Sequence, residues 1–132
     1  TPSGLMNSIG LQNPGIPHFI EHELPQMLKL KPVTIANLSG STLESYVEGA
    51  KLLENTKVPI IELNISCPNV KEGGIAFGQE PKAVEAITRE VKKHAKQPVI
   101  MKLSPNVTDI TEMAKAAEAA GADASGKILR QL

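Results

Sequence analysis

Three apolar runs, each entered through a proline and left through polar residues, constrain this chain more than anything else in it. Pro32 precedes Val33–Leu38, Pro59 precedes Ile60–Ser66 and Pro98 precedes Val99–Leu103. Proline lacks an amide donor, so it suits the entrance of a strand, where no ladder bond is needed. Helical patterns fill the intervals. Ser41-Thr42-Leu43-Glu44 reads as a capping box, followed by a stripe of Leu43, Val47, Ala50 and Leu53. Glu80-Pro81 opens a second helix, with Val84, Ile87, Val91 and Ala95 on its buried face. Asp109 and Glu112 open a third, with Met113, Ala116, Ala117 and Ala120 inward and Gly121 as its stop. A less regular helix is expected from about Ile16 to Leu30, interrupted by Pro17 and Pro25. Strands alternating with helices predict βαβ units and one parallel sheet, so the fold class is α/β. Parallel strands with like crossovers bring their carboxyl ends, and hence Asn37, Cys67 and Lys102, to one rim.

Composition narrows the function classes. At 132 residues the chain is one domain's worth, with a formal net charge of zero and scattered basic residues. That argues against nucleic acid or an anionic membrane as a partner. One cysteine excludes an internal disulfide and any multi-cysteine metal site, and fits a reducing cytoplasm. No apolar run approaches the ~20 residues of a membrane span, and no signal peptide is visible. The chain begins at a Thr-Pro that reads as mid-loop. His18 and His22 share helical spacing, but no zinc motif surrounds them, and with His94 they read as surface residues. A cytoplasmic protein without a metal site is the expectation.

The chemistry concentrates where the second run ends, in Asn64-Ile65-Ser66-Cys67-Pro68-Asn69. Strand side chains alternate, so Ile61, Leu63 and Ile65 point one way and Glu62, Asn64 and Ser66 the other. Such a strand resembles one near the active end of an α/β barrel, and Cys67 stands where it opens into its loop. A lone cysteine is commonly a small buried hydrophobe, but here two asparagines flank it and a long loop, Val70 to Gln79, follows. Asparagine carries both donor and acceptor, so several could satisfy a polar ligand rim without net charge. Lys102 lies inside a strand, where an unpaired ammonium is costly. It is either salt-bridged to Glu62, itself expected to be structural, or kept for a ligand. Gly73-Gly74 reads as a pair of hinges in a lid.

Asn64-Ile65-Ser66-Cys67-Pro68-Asn69 with Gly73-Gly74-Ile75-Ala76-Phe77-Gly78-Gln79 resembles the catalytic segment of class 1 dihydroorotate dehydrogenases, and the glycine-rich part resembles their NAD-linked 1B subclass. Met6-Asn7-Ser8-Ile9-Gly10-Leu11, Ile35-Ala36-Asn37-Leu38-Ser39-Gly40 and Met101-Lys102-Leu103-Ser104-Pro105 resemble further family segments in the same order. The resemblance covers roughly residues 1 to 123, and 124–132 reads as an off-pattern tail. It implies a (β/α)8 barrel, of which 1–132 is one partial segment. It implies FMN as cofactor and oxidation of dihydroorotate to orotate in pyrimidine biosynthesis. Carried over residue by residue, Cys67 is the general base at carbon 5. Asn7, Ser8, Ile9, Gly10, Leu11, Asn64 and Asn69 bind substrate. Asn37, Asn64 and Lys102 contact flavin. The 1B subclass implies a partner subunit carrying FAD and an iron–sulfur cluster and passing electrons to NAD. An open half-barrel would also expose sheet edges, so a homo-oligomer is expected. The alternatives are a dihydropyrimidine dehydrogenase type, against which Asn69 weighs, and an inactive half-barrel.

Overall fold

The computed structural model describes residues 5–9, 15–40, 42–66, 71–72, 75–76, 79–104, 107 and 109–127, with backbone alone for 5–9, 71–72, 75–76 and 127. Its strands are β1 (Leu5–Ile9), β2 (Ile35–Ser39), β3 (Ile60–Asn64), β4 (Lys71–Glu72), β5 (Ile75–Ala76), β6 (Val99–Leu103) and β7 (Ala124–Lys127). Five of them form one sheet in the order β1-β2-β3-β6-β7. Every pairing in that sheet is parallel. The three proline-entered runs are therefore neighbours, as their sequence predicts. β4 and β5 form a small antiparallel ladder inside the segment read as a long loop. The lid hinges assigned to Gly73 and Gly74 lie outside the described residues.

Helices cover one face of the sheet. They are α1 (Ile16–His18), α2 (Leu24–Met27), α3 (Leu43–Glu54), α4 (Pro81–His94) and α5 (Ile110–Ala119). A π turn, Phe19–Glu23, joins α1 to α2, with the Leu24 N–H donating to the Phe19 carbonyl. This widened turn lets one helical path carry both Pro17 and Pro25, which a regular α-helix would not. The helix expected to Leu30 ends at Met27. α3 packs beside α4, and α4 beside α5.

Alternation along the strands divides the two faces. Ala36, Leu38, Ile61, Leu63, Val99, Met101 and Leu103 are buried together with Tyr46, Ala50 and Leu53 of α3, Val84, Ile87 and Val91 of α4 and Met113 and Ala117 of α5. Gly49 permits α3 to lie this close, because a Cβ there would collide with Leu38 and Ile16. The opposite face carries Asn37, Glu62, Asn64 and Lys102, with Ile60 and Ile100 half-buried beside them. This is an α/β sheet of the parallel barrel kind, an arc of a (β/α)8 barrel.

Several expectations shift. β2 begins at Ile35 and not Val33, which is 57 % exposed. β3 ends at Asn64 and not Ser66, whose N–H turns back onto the Asn64 side chain. The cap of α3 is Thr42 and not Ser41: Thr42 Oγ1 accepts from the Ser45 N–H at 3.1 Å, and the Ser45 hydroxyl accepts from the Thr42 N–H at 3.0 Å. Ser45, not Glu44, closes that reciprocal box. The buried stripe of α3 is correspondingly Tyr46, Gly49, Ala50 and Leu53, with Leu43 and Val47 at its margin. Residues 124–127, read as the start of an off-pattern tail, add the fifth parallel strand. Gly121, at φ 106°, stops the helix as expected.

At the amino-terminal ends of the strands, Asp123 joins β6 to β7. Its N–H donates to the Val99 carbonyl at 2.9 Å, and its carboxylate accepts from the Val99 N–H at 2.9 Å and from Lys92 at 2.9 Å. These bonds, the Val99 N–H first and Lys92 second, hold the Asp123 carboxyl below the ordinary carboxylate range. Gln97 enters the core nearby and donates to the Leu53 carbonyl at 2.8 Å.

Candidate functional site

The parallel register stacks the predicted site residues in rows across the sheet. Asn37 of β2 stands opposite Glu62 of β3, and Asn64 of β3 opposite Lys102 of β6. Adjacent strands lie about 4.8 Å apart and alternate residues along a strand about 6.6 Å. Asn37, Glu62, Asn64 and Lys102 therefore occupy one patch that runs from the middle of β2 and β3 to the carboxyl ends of β3 and β6. Asn7 of β1 stands at the register level of Asn37, and Ser8 and Ile9 at the levels of Leu38 and Ser39. Cys67, Asn69, Gly10 and Leu11 lie outside the described residues. The chain enters the Cys67 segment directly from this patch, through Ile65 and Ser66.

Each amide of the patch has a defined partner. Asn37 is 2 % exposed, and its Nδ2 donates to Glu62 Oε1. A carboxylate can only accept, so this bond fixes which end of the Asn37 amide faces Glu62. Asn64 Oδ1 accepts from the Ser66 hydroxyl at 2.6 Å and from the Ser66 N–H at 3.1 Å. The main-chain carbonyl of Asn64 accepts from the Tyr46 phenol, fully buried on α3, at 2.7 Å. The Ile65 N–H donates to the Lys102 carbonyl at 3.2 Å and carries the β3–β6 ladder one residue further.

Lys102 makes no ion pair among the described residues; those present are His22–Glu21, Arg89–Glu85, Lys92–Asp123 and Lys93–Glu90. Glu62 holds Asn37, so the alternative that it neutralises Lys102 is not what the geometry gives. A half-buried ammonium beside the Asn64 amide can bind an anionic or carbonyl-rich ligand edge and stabilise charge that develops there. Neither of two cavities elsewhere touches this patch. One, of about 250 Å³, lies between Ile16, Gly40, Gly49 and Leu52, and the other, of about 150 Å³, beside Glu118 and Asp123. No group of three metal-ligating side chains occurs among the described residues. None of their helices is long and apolar enough to cross a membrane.

The sequence points to Asn37, Asn64 and Lys102, and to Glu62 as structural, but not to Ser66 and Tyr46, which hold Asn64. The link from Ser66 to Asn64 was readable, because an asparagine oxygen commonly accepts from the amide two residues on. Tyr46, the only tyrosine in the chain, carried no such signal. Its partner lies 18 positions away on another element.

Comparison with known proteins gives this patch its context. The dihydroorotate dehydrogenase family profile matches residues 1–129. A relative from Lachnoclostridium phytofermentans, named dihydroorotate dehydrogenase B (NAD(+)), catalytic subunit, is 58% identical over 124 residues, which is 94% of this chain and 41% of the relative. Proteins of the same name from Alkaliphilus metalliredigens and a Geobacillus species are 54% and 56% identical over 93% of this chain, covering 41% and 40% of their own lengths. The chain thus spans about two fifths of the length of the curated relatives it matches. With residues 1–129 matched and the matched segments built into a parallel α/β sheet, the chain belongs to the dihydroorotate dehydrogenase family.

Proposed function

We propose that the protein bearing this chain oxidises dihydroorotate to orotate in pyrimidine biosynthesis, as the NAD-linked catalytic subunit. The observation that carries the reading is the match across residues 1–129, with Asn37, Asn64 and Lys102 on one face of adjacent parallel strands and the last two at their carboxyl ends. That end of a parallel barrel is where such folds hold their active sites.

The donor set fits a flavin. The Lys102 ammonium, without an ion pair among the described residues, the Asn37 oxygen and the Asn64 amide suit a ring edge that alternates carbonyl and N–H groups. Asn37, Asn64 and Lys102 would hold FMN, which when bound supplies a two-electron acceptor. Lys102 would favour negative charge near the N1–C2 edge of the ring. Asn7, Ser8, Asn64 and Asn69, with backbone N–H groups of Ile9, Gly10 and Leu11, would orient the substrate. Cys67 as thiolate would remove the carbon 5 proton, a step suited to a group whose pKa can lie near the operating pH.

The name of the relatives, catalytic subunit of an NAD(+)-type enzyme, supports a partner subunit that takes the electrons onward. FAD and an iron–sulfur cluster belong to that partner in this reading, and the site is cytoplasmic. Following orotate formation by absorbance tests the whole. The parent should turn over dihydroorotate, and Cys67→Ala should retain flavin absorbance while losing at least about 100-fold in rate, the usual contribution of a positioned base. A Cys67→Ala protein that works at the parental rate would refute the assignment.

A further inference from the structure

We propose that Ser66 and Tyr46 are positioning residues that fix the Asn64 carboxamide so that it meets its ligand only as a hydrogen-bond donor. The inference rests on the proposed function and deepens it by assigning the polarity of one contact.

A carboxamide oxygen offers two lone pairs, and Asn64 Oδ1 uses both, one on the Ser66 N–H and one on the Ser66 hydroxyl. The Ser66 N–H can only donate. Rotating the amide by half a turn would set its NH2 against that N–H, donor against donor, so the orientation is fixed by chemistry. Asn64 Nδ2 has no partner among the described residues and is left for the ligand. The main chain beneath it is held separately. The β2–β3 register ends at Leu38↔Leu63, so the Asn64 carbonyl lies one residue past that ladder, and the buried Tyr46 phenol reaches from α3 to donate to it at 2.7 Å. With side chain and backbone both tethered, Asn64 cannot turn to present its oxygen.

Asn37 has the opposite polarity. One N–H of its amide is committed to Glu62, and among the described residues its oxygen is left over. The patch therefore offers an acceptor at Asn37 and donors at Asn64 and Lys102. A ligand group facing Asn64 must be a carbonyl, a carboxylate oxygen or an unprotonated ring nitrogen. A group facing the Asn37 oxygen must carry a hydrogen. A heterocycle with a cyclic amide edge has both.

The test is orotate titration of the flavin-loaded protein, read by perturbation of the flavin spectrum, with dihydroorotate kinetics in parallel. Ser66→Ala should weaken orotate binding about fivefold, the worth of one ordinary hydrogen bond. KM for dihydroorotate should rise with it, while the protein still folds and loads flavin. Ser66→Thr, which keeps the hydroxyl, should restore binding. Asn64→Asp, which keeps the acceptor that Ser66 uses but loses the donor, should bind orotate more weakly than Ser66→Ala does. Tyr46→Phe should raise KM in the same direction. A Ser66→Ala protein with parental orotate affinity, or a Ser66→Thr protein as weak as Ser66→Ala, would overturn this inference alone. A flavin-loaded parent that gives no orotate response would overturn the proposed function and this inference with it.

Discussion

Asp123 shows how much a half-exposed side chain can do when its bonds are to charged or main-chain donors. Its carboxylate accepts from the Val99 N–H and from Lys92, and its pKa lies below the ordinary value of 3.8. A carboxyl with a depressed folded pKa contributes stability that is present above its unfolded pKa and lost as pH falls through the folded one. Asp123→Ala should therefore destabilise the protein by about 1 kcal/mol at neutral pH, in line with partly exposed charged hydrogen bonds. That difference should shrink as pH is lowered below about 4. Urea midpoints of parent and variant from pH 7 to pH 3 would show it, and a difference independent of pH would contradict it. Glu62 makes a second case. Glu62→Leu leaves the buried Asn37 amide without its acceptor and should cost about 1–3 kcal/mol, whereas Glu62→Gln keeps an acceptor and should cost less. Chemical denaturation separates the two variants. The faces on which Glu62, Asn64 and Lys102 lie were legible from strict alternation alone. The bonds that orient Asn37 and Asn64 were not, since they join residues that only the sheet and α3 bring together.

Element boundaries followed local chemistry that pattern reading approximates. The box Ser41-Thr42-Leu43-Glu44 fits the general signature, yet the helix starts one residue later because Thr42 is extended, at φ −137°, and exchanges bonds with Ser45. Thr42→Ala should cost about 1 kcal/mol by thermal unfolding, the usual worth of an N-cap hydroxyl. The apolar stripe Leu43, Val47, Ala50 and Leu53 passes over Tyr46, whose polar tip disguises a side chain that is wholly in the core. Val99–Leu103 matched its strand end to end, because Pro98 and the Asp123 bonds to Val99 mark its start unambiguously. Gly49 sets two effects against each other. Alanine in a helix interior is favoured over glycine by about 0.5–1 kcal/mol. Overpacking a core costs about 1–3 kcal/mol, and here the added methyl meets Leu38 and Ile16, both buried. Overpacking should win, so Gly49→Ala should lower the thermal midpoint; a rise would show that α3 moves off the sheet cheaply.

For the whole molecule, the arc of barrel leaves its polar face half-buried, and the outer strands β1 and β7 each pair on one side only among the described residues. Ile60 and Ile100 stand on that face, and Leu30 and Val33 are exposed near the strand entrances. Unpaired edges and apolar surface favour association. The 132-residue polypeptide of 14.1 kDa, expressed by itself, should sediment as an oligomer or aggregate; a stable, yellow monomer would contradict this. The fold class was legible because proline, apolar run and amphipathic helix recur in one cadence. β7 was not, because Ala124-Ser125-Gly126-Lys127 has none of the apolar character of the other strands and is held by its neighbour β6. The five-stranded sheet has one more consequence. Its spatial order follows the order of the chain, so each strand docks on one that precedes it in sequence. A nascent chain emerging at about 5–20 residues per second could thus lay down the sheet unit by unit, each new strand finding its template already made on the ribosome.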